Sequence, residues 1–115
     1  MNLLYTFDPE SAADIMAIIA QNLRRRRLER GLSRGALAQM SGVPAPTIAK
    51  FEQRHTISMT SFVAIAKALG YSKDIKALLS EPIYSTLEEL ETINKNKDRK
   101  RGRNELDKLA DSFIP

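Results

Sequence analysis

The sequence predicts an all-α fold of about five helices followed by a partly disordered tail. Apolar residues recur at spacings of three and four along most of the first 80 positions, and serine or glycine punctuates each recurrence. Alternation with period two is confined to Leu3-Tyr5-Phe7. With 115 residues, 43% of them apolar, the chain has room for one core and a tail but not for two ordinary domains.

Each helix has its own start and stop. Asp8-Pro9 predicts the first start, with an acceptor at the N-cap and a proline where a missing N–H costs nothing. Ile15, Ile18, Ile19 and Leu23 then form a stripe, and Gly31 supplies the stop, so the helix is expected over 9–30. Ser33 caps a second, short helix, Arg34 to Met40, which Ser41-Gly42-Val43 breaks because glycine accepts the left-handed turn. A third runs from Ala45 to Gln53 with Ile48 and Phe51 on one face. Ser58 caps a fourth, striped by Phe62, Ile65, Ala66 and Leu69 and stopped at Gly70. Ser72 opens a fifth with Ile75, Leu78 and Leu79. The methionines read as core fillers.

The pattern changes after Pro82. Thr86-Leu87-Glu88-Glu89 has capping-box spacing and predicts a short helix through Ile93. Asn94 to Asn104 has no apolar residue and reads as disordered. Leu106, Leu109 and Phe113 share one helical face, too short to hold a helix alone in water, so this segment is expected to fold on a partner. The organisation expected is an arm over 1–8, a domain over 9–80 and a tail over 81–115.

Charge localises further. Lys and Arg outnumber Asp and Glu by 18 to 14, and residues 21–54 hold eight basic against two acidic side chains. A second basic focus, Lys95 to Arg103, lies in the tail. With no cysteine and one histidine, disulfides, thiolate metal sites and histidine-based metal or catalytic clusters are excluded, and no metal or cofactor is expected. No acid/base pair, nucleophile elbow or phosphate loop appears, so no enzyme is expected. Ile15 to Ala20 is too short to span a bilayer, and Met1-Asn2-Leu3-Leu4 lacks the basic start of a secretory leader. A cytoplasmic, nucleoid-associated protein is expected.

Leu37-Ala38, Gly42-Val43, Thr47-Ile48 and Phe51-Glu52 together mark two short helices crossing steeply at a turn. Ala38 is small where the next helix crosses, Gly42 turns the chain, and Val43 and Ile48 bury the crossing. This is a helix-turn-helix, a motif whose second helix enters the DNA major groove. From about Ile19 to Leu79 the sequence resembles the Cro/C1-type (XRE) family of transcriptional regulators, and Ile65 to Gly70 is similar to that family's fourth helix. The resemblance implies a five-helix, lambda-repressor-like DNA-binding domain that acts as a homodimer on a palindromic operator.

Carried over by position, the resemblance puts base-facing residues at Ala45, Pro46 and Lys50, with Thr47 and Ala49 beside them. Pro44 replaces the usual serine or threonine cap, and Ala45 and Pro46 replace hydrogen-bonding side chains. Direct readout then leans on Lys50 toward guanine and on apolar contact with thymine methyls; alternatively Ala45 and Pro46 only start the helix and DNA shape supplies specificity. Ser33 and Arg34 stand at the start of the second helix, where Arg34 occupies a phosphate-clamping position. Gln53, Arg54 and Thr56 fall on the loop that relatives use for backbone contacts. The resemblance also implies a structural pair, Arg27 with Glu52. Arg24, Arg25 and Arg26 point all round the helix and are open to either DNA or solvent, and His55 reads as a surface loop residue.

Lys100, Arg101, Gly102 and Arg103 resemble the core of an AT-hook without its following proline, so this stretch reads either as a minor-groove arm or as a solvated linker. Tyr5, Asp8-Pro9-Glu10, the long first helix and Thr56 to Phe62 resemble the antitoxins of HipA/HipB-type systems, which repress their own operon and neutralise a kinase toxin. That resemblance implies a HipA-like kinase as a further partner. A phage or mobile-element repressor, a restriction–modification controller, and a protein-interaction adaptor that has lost DNA binding (Pro44 and Pro46 are its only support) compete with it.

Overall fold

Ser11, not Asp8, begins the first helix in the computed structural model, which describes residues 8–102. Helix α1 spans Ala12–Glu29, and Ser11 and Asp14 cap it reciprocally, each side chain accepting the other's backbone N–H. Asp8 is spent on a tighter local turn, its Oδ1 accepting the N–H of Glu10 at 2.9 Å. Two free helical amides are satisfied at Ser11 and none at Asp8, which moves the start three residues beyond Pro9. The other end stops at Gly31, whose φ is +69°. There Leu32 N–H reaches back to Arg27 O and Gly31 N–H to Leu28 O, the paired bonds of a Schellman turn.

The remaining helices are α2 (Arg34–Ser41), α3 (Ala45–Arg54), α4 (Met59–Ala68), α5 (Ser72–Ala77) and α6 (Leu87–Asn96), and no strand occurs among the described residues. Ser33 caps α2 through Ala36 N–H, Ser58 caps α4 through Ser61 N–H, and Gly42 takes the left-handed conformation between α2 and α3. No side chain caps α3. Pro44 precedes it and Pro46 lies in its first turn, both where the missing N–H has no helical partner to lose. His55 does more than fill a loop: at φ +65° it forms the α3 C-cap, its N–H on Phe51 O at 2.8 Å.

The described residues divide into two compact units between Glu81 and Pro82. In the first, Leu37, Ile48, Phe51 and Ile65 are fully buried, joined by Ala20, Leu23, Val43 and Leu69. Phe51 meets Phe62 edge-on, ring centres 5.9 Å apart. Helix α3 packs on α1 and α2, α2 on α4, and α4 on α5.

Several apolar expectations fail at the rim of this core. Ile15 and Ile18 are exposed, as are Met40 and Met59, while Met16 does pack against the core. The inward face of α1 runs instead through Met16, Ile19, Ala20, Leu23 and Arg27, because α3 and its neighbours cover only that side. Leu78 and Leu79 lie outside the core altogether. Helix α5 ends at Ala77, too short to carry its stripe further, and Leu79 is fully exposed at φ +60°.

In the second unit, Thr86 caps α6 by accepting Glu89 N–H at 3.1 Å. The return half of the capping box does not form. The buried Glu89 carboxylate instead accepts from the Ser85 and Thr86 hydroxyls. The helix runs three residues past Ile93, to Asn96, with Thr92 O accepting from the Asn96 amide, so the stretch from Asn94 does not open as disorder. Leu3-Tyr5-Phe7, Arg103, Leu106, Leu109 and Phe113 lie outside the described residues.

Candidate nucleic-acid interface

Helix α3 has two unlike faces, and the sequence periodicity decides which is which. Ile48, Phe51 and Glu52 point inward and are buried. Pro46, Lys50 and Gln53 recur at spacings of four and three on the opposite side, all exposed, with Arg54 exposed at the end. Ala45, Thr47 and Ala49 flank that stripe and are half-buried. The turn after α3 brings Thr56 back toward it, so that Pro46, Thr47, Lys50, Thr56, Ile57 and Ser58 line one shallow depression. Ile57 and Ser58 join the candidate residues only in three dimensions. Ser58 has the sequence signature of a helix cap and nothing that marks it as part of a surface.

At the start of α2, Ser33 is exposed and its hydroxyl oxygen accepts Ala36 N–H. Arg34 follows it, and the crossing of α2 over α3 sets Arg34 beside Glu52. Glu52 is the electrostatic centre of this region. Arg27 donates from Nε to Glu52 Oε2 and from Nη2 to Oε1, both at 2.8 Å, and from Nη1 to the Leu32 carbonyl at 2.9 Å. Arg34 adds a second contact from its Nε to Oε1 at 3.1 Å. Spacing alone carried no sign of that second bond, because it depends on the angle at which the two helices cross.

Burial by itself would push the Glu52 carboxyl up; the hydrogen bonds and charge of Arg27, then of Arg34, hold it below the usual carboxylate range. The same bond to Glu52 raises Arg27 against the opposing effect of burial. Two cations on one anion leave the cluster with a net positive charge.

The other basic residues are more loosely placed. Arg24 and Arg25 are exposed, and Arg26 lies 2.9 Å from Glu29 one turn on, an exposed pair of little energetic weight. Lys100 and Arg101 are exposed beyond α6. No helix among the described residues is long and apolar enough to cross a membrane.

Among known proteins, no curated protein and no solved structure matches this chain. The Helix-turn-helix family model (HTH_3) does match, over residues 23–76, from the middle of α1 into α5. That match covers the crossing of α2 and α3 and every candidate residue from Arg27 to Thr56. Over residues 23–76 the chain is similar to helix-turn-helix domains of the Cro/C1 type, a likeness that supports a DNA-binding transcriptional regulator.

Proposed function

We propose that this protein is a sequence-specific repressor that binds a palindromic operator in double-stranded DNA as a homodimer. The observation that carries the reading is the exposed stripe Pro46, Lys50 and Gln53, held on a helix whose other face is locked into the core. Presented to the major groove, Lys50 bonds the acceptor atoms of guanine, and Ala45 and Pro46 supply apolar contact to thymine methyls, with Thr47 and Ala49 beside them. Ser33 and Arg34 at the start of α2, and Gln53, Arg54 and Thr56 around the end of α3, hold the phosphate backbone. Pro44 stands at the N-cap of α3 and Pro46 lies in its first turn, and the helix forms with both in place.

Dimerisation through the α5 end of the domain is supported by the exposure of Leu78 and Leu79 and by an apolar groove along α1, α4 and α5 that includes Ile19, Phe62, Ile75 and Leu78. Selection of bound duplexes from a random library is expected to enrich a palindrome with half-sites about 10 base pairs apart. Failure to enrich any sequence overturns the reading. Lys50→Ala is expected to weaken binding to that site by about 1–3 kcal/mol and to relax preference at one base pair.

The same reading extends to regulation: the protein acts as the autoregulating antitoxin of a HipA-like kinase. Asp8-Pro9-Glu10, the long α1 and the segment Thr56 to Phe62 support it by resemblance. A HipA-like kinase encoded beside this gene is expected to co-purify with the protein. If the neighbouring genes encode no kinase and phage functions surround the gene, the mobile-element repressor replaces it.

A further inference from the structure

Glu52 holds two arginines although one would neutralise it. Arg27 is saturated, with Nε, Nη1 and Nη2 all donating within the protein, and only 6% of its side chain is exposed. Arg34 differs on both counts. Its side chain is 35% exposed, and Nε, its one bonded nitrogen, donates to Glu52 Oε1. The guanidinium is a rigid plane, so a bond at Nε fixes the direction of the end carrying the two terminal NH2 groups. Those two groups match two oxygens of one phosphate.

We propose that Glu52 is a positioning residue: it anchors Arg34 by Nε so that the free end of the guanidinium is presented, already oriented, to one phosphate of a DNA backbone. The proposal rests on the DNA-binding reading above. Anchoring removes rotamer freedom that a loose arginine would lose only on binding. A lone carboxylate here would repel the phosphate it helps to capture. Arg27 cancels that charge from the buried side, leaving the Arg34 charge unspent for the DNA.

The test uses the full chain and a mixed-sequence DNA duplex, with affinity measured across a range of salt and the folding of each variant followed by thermal unfolding. Arg34→Ala is expected to lower affinity about tenfold and to flatten the salt slope by about 0.9, the loss of one phosphate contact. Arg34→Lys keeps the charge, but a single ammonium cannot hold Glu52 and also present two donors in a fixed plane, so its affinity is expected to fall toward that of Arg34→Ala. In a Glu52→Gln background, Arg34→Ala is expected to cost less affinity than in the native protein. If Glu52→Gln does not fold, the Arg34→Lys result decides alone. Arg34→Lys binding with native affinity and slope overturns the positioning role, as does an equal cost of Arg34→Ala in both Glu52 backgrounds. An unchanged Arg34→Ala removes Arg34 from the phosphate contacts. Native protein that binds no duplex at all overturns the DNA reading itself.

Discussion

The two faces of α1 are made from similar materials and meet opposite fates. Both carry aliphatic residues, yet Ile15 and Ile18 on one face stay exposed while Ala20, Leu23 and Arg27 on the other are buried. The difference is what lies opposite. The buried face meets α3, where Phe51 supplies an apolar surface and Glu52 a counter-charge that accommodates an arginine inside. Periodicity identifies a face of a helix, and only a neighbour makes that face interior.

The largest way to break this contrast is at the buried charge. Arg27→Ala leaves the Glu52 carboxylate under-compensated, and is expected to cost about 3–5 kcal/mol in chemical denaturation. A loss no larger than that of the exposed Arg24→Ala would show that the two arginines differ in position but not in role. Acid probes the same seam. The folded Glu52 carboxyl titrates below its unfolded value, so the unfolded chain takes up the proton first as pH falls. The stabilisation is complete above the ordinary glutamate value of about 4.3 and is lost as pH drops through the lower folded value. Glu52→Gln is expected to remove that part of the acid dependence.

Next in size is the apolar part of the buried face. Leu23→Ala opens space beneath α3 and is expected to cost about 2–5 kcal/mol. The smallest effect belongs to the other face: Ile18→Ala, at a residue 43% exposed, is expected to change monomer stability by about 0.5 kcal/mol or less. A loss comparable to that of Leu23→Ala would mean that Ile18 is covered in solution, and its dependence on protein concentration would identify a second copy as the cover.

Local signals were readable wherever a residue's task is settled by its near neighbours. Ser33 and Ser58 cap the helices expected of them, Gly42 and Gly31 turn where a positive φ is needed, and Leu37, Val43, Ile48 and Phe51 are inside. The expectation failed at the start of α1 because two caps competed within a few residues, and the reciprocal pair Ser11 and Asp14 satisfies more backbone than Asp8 can. It failed at Leu78 and Leu79 because a stripe extrapolated past the end of a short helix has no helix to belong to. Within the candidate interface, the resemblance puts Pro46 and Lys50 on the outer face of α3 and Gln53 on the loop after it, whereas all three are exposed on the helix itself. Ile57 and Ser58 enter the depression beside Lys50 only because the chain folds back after His55.

The sequence by itself determined the all-helical class, the helix-turn-helix and which face of α3 is turned outward, since these follow from caps, glycine turns and a 3.6-residue period acting over a few positions. Tertiary structure alone decided that Ile18 is outside and Arg27 inside, and that Arg34 shares Glu52 with Arg27 at 3.1 Å. Those outcomes depend on the crossing of helices far apart in the chain, where burial and charge compensation are settled by the partner across the gap.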